Sequence, residues 1–188
     1  MGGDNIFLIG FRGAGKSSVG RLLAARTGRA FRDMDGEIER REGLPIQAIV
    51  AGRGWDAFRR LEAALLEEIC RGGGQVVSTG GGVVLDPQNV VRMQAGGRVV
   101  WLTAAAATVL RRISDDPASA AGRPPLTPGR GRLEEIPALL AERTPLYRAA
   151  AHAAVCTDDR SPAEVCRLVC ALLEDECVSA LDKRNPFQ

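Results

Sequence analysis

Eight residues near the start of the chain, Gly10-Phe11-Arg12-Gly13-Ala14-Gly15-Lys16-Ser17, fit the pattern GxxxxGK[ST]. A glycine-rich turn of this kind lets backbone N–H groups wrap a polyphosphate at the positive end of the helix that follows. Lys16 would reach the β- and γ-phosphates, and the Ser17 hydroxyl would bind Mg²⁺. The flanks agree. Residues 5–10 form a short apolar run that reads as a buried strand, and Val19, Leu22, Leu23 and Arg26 recur at helical spacing over 17–27. A chance glycine-rich turn would lack this register, so the sequence predicts a nucleoside triphosphate site.

Other side chains at suggestive spacings leave two readings each. In Phe31-Arg32-Asp33-Met34-Asp35 the carboxylates are two residues apart, with Met34 pointing away from their face. On an extended chain this turns both to one side, at the carboxyl end of a strand, where open α/β sheets bind ligands. One could hold Mg²⁺ through water while the other takes a proton from an attacking hydroxyl. Alternatively, both cap the next helix. Arg59 and Glu62 stand i, i+3 on a helix. That pattern favours a surface ion pair, worth under ~1 kcal/mol, over a Glu62 that orients Arg59 toward an anionic substrate.

Gly80-Gly81-Gly82 closes a strand, either as an ordinary turn or to let a ligand approach backbone N–H groups. Arg123, in Gly122-Arg123-Pro124-Pro125-Leu126, sits beside a stiff proline pair inside a long irregular stretch, which suits a cation carried onto a closing site. Arg143 is either an anion contact or a solvated helix residue. Trp55 and Phe58 read as core.

The elements that must position these groups alternate along the chain. Strands are expected over 29–33, 75–79, 98–103 and 153–156. Helices are expected over 35–42, 45–51, 55–71, 87–94, 105–113, 134–151 with an interruption at Pro145, and 162–176. Such alternation with short connections argues for a parallel sheet covered by helices on both faces.

Composition limits what this framework can do. A chain of 188 residues suits one domain with a full core. The net charge of +2 without a basic block does not suggest a nucleic-acid binder. All basic residues except Lys16 and Lys183 are arginines, so each arginine counts only by its context. Five cysteines show no CxxC or zinc spacing, and His152 is the single histidine, which makes a histidine metal site or a Ser-His-Asp triad improbable. With no signal peptide or membrane-length apolar run, a cytoplasmic protein without membrane attachment is expected.

Taken together and in this order, the motifs resemble those of shikimate kinases. The resemblance rests on GFRGAGKS at 10–17, FRDMD at 31–35, GWDAFRRLE at 54–62, TGGG at 79–82, GRPPL at 122–126 and ERTPLY at 142–147. It covers the chain from the first strand to about residue 174. It implies an α/β, P-loop fold with a five-stranded parallel sheet of order 2-3-1-4-5, helices on both faces, and a lid over about 113–132. The domain would span 1–177, followed by a loosely ordered tail over 178–188.

The activity implied is transfer of the ATP γ-phosphoryl to the 3-hydroxyl of shikimate, in aromatic amino acid biosynthesis. By motif position, Gly13, Ala14, Gly15, Lys16, Ser17 and Ser18 would hold the phosphates, and Ser17 would bind Mg²⁺ with Asp33 acting through water. Asp35 would hold the accepting hydroxyls and act as base. Arg59 and Arg143 would grip the shikimate carboxylate. One of Gly80, Gly81 and Gly82, best Gly81, would offer its N–H to a ring hydroxyl. Arg123 would ride the lid onto the phosphates, and Arg112 and Arg160 would flank the adenine. The lid reads RPPL where many members have RPLL, a departure that touches closure and not chemistry. A monomer is expected. The rival readings are a gluconate-kinase-like enzyme and a ligand-sensing domain on the same fold. The second would need a helix-turn-helix segment and no intact catalytic set.

Overall fold

The computed structural model describes residues 4–115 and 132–182. Five strands, β1 (Asn5–Ile9), β2 (Ala30–Asp33), β3 (Gln75–Ser78), β4 (Gly97–Thr103) and β5 (Ala153–Cys156), form one sheet. Every pairing is parallel, and the order is β2-β3-β1-β4-β5, as the resemblance implied. All five residues of β1 are buried. A central parallel strand is covered on both faces, which is why Asn5-Ile6-Phe7-Leu8-Ile9 shows no polar alternation. Its one polar member, Asn5, is satisfied by the carbonyls of Ile69 and Gly72 and by the Gln75 N–H.

One face packs under α1 (Lys16–Thr27) and α7 (Pro162–Asp182), where Val19 and Leu23 meet Val165 and Val169. The other packs under α2 (Met34–Glu42), α3 (Ile46–Cys70), α4 (Pro87–Gly96) and α6 (Arg132–Ala150), around Phe7, Ile9, Val77 and Val99. A smaller cluster of Phe11, Val109, Ile113 and Ile136 joins α5 (Ala106–Asp115) to α6 beside the phosphate loop.

The two helices expected over 45–51 and 55–71 are both present within α3, separated by a break at Gly54, where φ 79° and ψ 168° are not helical. Two other expectations are corrected by packing. The interruption expected at Pro145 is absent, and α6 continues through both Pro137 and Pro145. Proline removes one helical hydrogen bond and crowds the carbonyl four residues earlier. Here Tyr147 and Ala150 beyond it are fully buried, and that burial outweighs the lost bond. The last helix runs to Asp182 and not to residue 176, because extending a formed helix costs far less than starting one.

β1 leads to β2 and β3 on one side and has β4 on the other, so the order reverses beside it. The carboxyl ends of β1, β2 and β3 therefore open onto the crevice where sheets of this type bind ligands. These ends carry the phosphate loop, the Asp33/Asp35 pair and the three glycines.

Candidate active site

The nucleotide end is built mainly from backbone. Gly13 and Gly15 take φ values of 79° and 90°, which a side chain would strain, and this turn brings the loop round to the start of α1. Gly15 caps α1 without any side-chain hydrogen bond to the first-turn N–H groups. Those donors and the helix dipole are thus available to an anion. Ala14 is buried and Ser18 is exposed at the loop's rim. Lys16 does not extend outward: it is 8% exposed, and Nζ donates to the carbonyls of Gly10 at 2.8 Å and Phe11 at 3.0 Å.

Ser17 Oγ donates to Asp33 Oδ2 at 2.6 Å and lies 3.2 Å from Ser78 Oγ. Two hydroxyls and a carboxylate at a phosphate-binding turn are the hard oxygen donors that suit Mg²⁺. Among the described residues no group of three or more His, Cys, Asp or Glu forms a metal cage. Arg112 ties the loop to the end of β5, donating to the Gly13 carbonyl at 3.2 Å and to Thr157 Oγ1 and O at 3.0 and 2.7 Å. Arg160, exposed, donates to the Cys156 carbonyl at 2.7 Å on the same edge.

Next to this loop is a pocket lined by Phe11, Arg12, Asp35, Ile46, Trp55, Phe58, Arg59, Glu62, Gly80, Gly81, Gly82 and Arg143. The expected surface ion pair between Arg59 and Glu62 is instead a buried one. Glu62 Oε2 accepts from Arg59 Nη1 at 2.6 Å, and the two side chains are 1% and 24% exposed. Helical spacing gives the pair but not its burial. Burial pushes the Glu62 carboxyl above its ordinary range, with Arg59 pulling in the opposite direction. The other carboxylate oxygen, Oε1, is buried without a hydrogen-bond partner. Arg59 also lies over the Trp55 and Phe58 rings, at 5.3 and 5.5 Å.

Arg143 is 6% exposed, its Nε has no partner, and its Nη1 donates weakly to the Gly81 carbonyl at 3.4 Å. Tyr147 donates its hydroxyl to the same carbonyl, and burial holds that phenol at about 12, so it remains a donor. The glycines are required by these convergent groups. A Cβ at Gly80 would collide with Glu62 and stand 3.0 Å from Asp35 Oδ1, and one at Gly82 would overlap the Arg59 guanidinium. The two aspartates do not lie on one extended segment, because α2 begins at Met34. Asp33 ends β2 and turns to Ser17, while Asp35 in the first turn of α2 faces the pocket, and Met34 is buried away from both.

The structure thus brings together Lys16, Ser17, Asp33, Asp35, Arg59, Arg143 and the three glycines. Arg112 and Arg160 stand apart at the end of β5, beside Gly13. Arg123 lies outside the described residues, as does most of the expected lid. Sequence reasoning missed Phe11 and Arg12, which occupy unspecified positions of the loop pattern, and Ile46 and Tyr147. Trp55 and Phe58, read as core, do belong there, Phe58 buried in the main cluster and Trp55 packed against it, and both also line the pocket. Their spacing with Arg59 and Glu62 marks one helical face carrying aromatic and charged residues together, a signal that was available.

Known proteins share both the fold and much of the sequence. The family model described as shikimate kinase matches residues 12–174. A shikimate kinase of Dehalococcoides mccartyi is 39% identical over 173 residues, covering 92% of this chain and 93% of the relative. One from Syntrophus aciditrophicus is 42% identical, covering 86% of each. The structure of shikimate kinase from Acinetobacter baumannii in complex with shikimate superposes with a TM-score of 0.86 at 33% identity, over 93% of this chain and 94% of that one. A gluconokinase from Sinorhizobium meliloti, at 18% identity and a TM-score of 0.58, shares the fold alone.

Proposed function

The chain belongs to the shikimate kinase family and is an ATP-dependent kinase for shikimate, and on that premise we propose how its residues divide the work. Asp35 is the base. It takes the proton of the accepting 3-hydroxyl as that oxygen bonds to the γ-phosphorus and the bond to ADP breaks, its electron pair leaving with ADP. Arg59 and Arg143 hold the shikimate carboxylate, which fixes the ring and so the hydroxyl. The observation that carries this reading is the placing of Asp35 and two guanidiniums in one pocket beside the phosphate loop.

On the nucleotide side, the loop N–H groups of residues 13–18 cradle the phosphates. Lys16 exchanges its two carbonyl partners for the β- and γ-oxygens, neutralising charge as it spreads over the transferred group. Mg²⁺, when bound, would draw on the Ser17 hydroxyl and, through water, on Asp33, and would neutralise the phosphate oxygens. Gly81 offers its N–H to a ring hydroxyl while its carbonyl stays with Tyr147 and Arg143. Arg112 and Arg160 flank the adenine, and Arg123 completes the phosphate contacts. The enzyme acts as a monomer, since one chain supplies both ends of the site, and in the cytoplasm, where ATP is available. No described helix is long and apolar enough to cross a membrane.

Asp35→Asn tests the base assignment. Turnover should fall on the order of 10²–10⁴-fold while ATP affinity, by calorimetry, is retained. Near-normal turnover in this variant would remove Asp35 from the role.

A further inference from the structure

Arg12 occupies a position that the roles assigned above do not use. It is one of the unspecified positions of the phosphate-loop pattern, yet the residue lines the shikimate pocket together with Asp35, Arg59 and Arg143. Its side chain is only 11% exposed, and Nη2 lies 3.7 Å from Oε2 of Glu135, itself 1% exposed on the first turn of α6. Arg59 and Arg143 have a different neighbourhood. Both also wall an adjoining cavity with Trp55, Asp56, Leu85 and Asp86, and Arg12 does not. Two arginines therefore mark the side shared with that cavity, and the third stands on the side of the phosphate loop.

We propose that Arg12 is a phosphoryl-contacting residue, whose guanidinium engages the group passing from ATP to shikimate and then holds the phosphate of the product ester. This rests on the shikimate kinase assignment. Arg12 belongs both to the loop that cradles the donor and to the lining of the acceptor pocket, and the group that passes between those two sites is the one being transferred. Its backbone nitrogen is 3.2 Å from where a Gly81 Cβ would stand, so the loop passes close to the glycine run on the acceptor side. Glu135 supplies the counter-charge that makes a buried guanidinium tolerable before substrates arrive. Its separation of 3.7 Å is longer than the 2.7–2.9 Å of a tight charge-assisted hydrogen bond. Arg12 exchanges no proton or electron pair. The hydroxyl proton still goes to Asp35, and Arg12 offers only N–H donors to non-bridging oxygens.

The test compares substrate and product on the full chain. Shikimate-dependent turnover by the wild type is established first, since its absence would bring down the assignment itself before any variant is read. Calorimetric titration of Arg12→Met should then show affinity for shikimate 3-phosphate reduced roughly tenfold or more, with shikimate affinity within about twofold of wild type. The turnover number should fall by a comparable factor while KM for shikimate holds. Glu135→Gln, which keeps the guanidinium and removes its counter-charge, should retain or raise product affinity. If Arg12→Met does not fold, Arg12→Lys reads the same contrast with a smaller product-specific loss, because a point charge lacks the guanidinium fork. Equal losses for both ligands, or no loss for either, would overturn the proposal and leave Arg12 as a structural partner of Glu135.

Discussion

The two ends of the active site are built by different means. The nucleotide end comes from one continuous stretch, residues 10–18, in which glycine conformations and helix-start N–H groups do the binding and Lys16 and Ser17 supply the side chains. The shikimate end has no such stretch. Asp35 comes from α2, Arg59 and Glu62 from α3 beyond its bend, the glycines from the end of β3 and Arg143 from α6. Backbone recognition tolerates neighbouring sequence and gives a general phosphate site, whereas convergent side chains must be individually placed and so carry the choice of acceptor.

If that division holds, damage to the acceptor end should leave the nucleotide end working. The largest effect of this kind is expected from Arg59→Ala, which removes charge-assisted bonds to the shikimate carboxylate. Its KM for shikimate should rise roughly ten- to a hundredfold with ATP affinity unchanged, measured by steady-state kinetics and nucleotide titration. Gly82→Ala attacks the same contact from the other side. Its new methyl would overlap the Arg59 guanidinium, the far end of a flexible side chain, so the arginine can swing aside at little cost to the fold. A rise in KM for shikimate of about tenfold with little change in Tm is expected. A large loss of Tm, or weakened ATP binding, would mean that the two ends are not separable.

The smallest effect concerns Glu62 and pH. Its carboxyl is raised by burial, so above the ordinary value of about 4.5 the unfolded chain releases this proton more readily than the folded one. Stability from this group is therefore fully present below that value and declines as pH rises through the raised value. Glu62→Gln lacks the term. Between pH 4.5 and 8 the wild-type Tm should lose ground to that of Glu62→Gln, by about 2–4 °C for each kcal/mol of linkage. A gap that moves in favour of the wild type would show that Arg59, and not burial, governs the carboxyl.

What could be read from sequence follows the same division. The phosphate loop was legible because strand, turn and helix are contiguous and each glycine has a local reason. The sheet order and the acceptor roles came through the resemblance, since no spacing joins Asp35 to Arg143 across more than a hundred residues. Spacing placed Arg59 and Glu62 on one helical face and left their burial open, and burial is a property of what packs over them. Likewise, Pro145 was read by its local cost, and the buried Tyr147 beyond it decided otherwise. Arg12 is not marked by the sequence, because the motif constrains its backbone and says nothing of its side chain.

The most direct test of the whole account is ADP formation in the presence of Mg²⁺, followed by a coupled assay with no acceptor, with gluconate and with shikimate. The account predicts a low rate in the first two cases and strong turnover with shikimate alone. ATP binding without a shikimate-dependent rate, or an equal rate with gluconate, would leave the nucleotide end standing and contradict the assignment of the acceptor end.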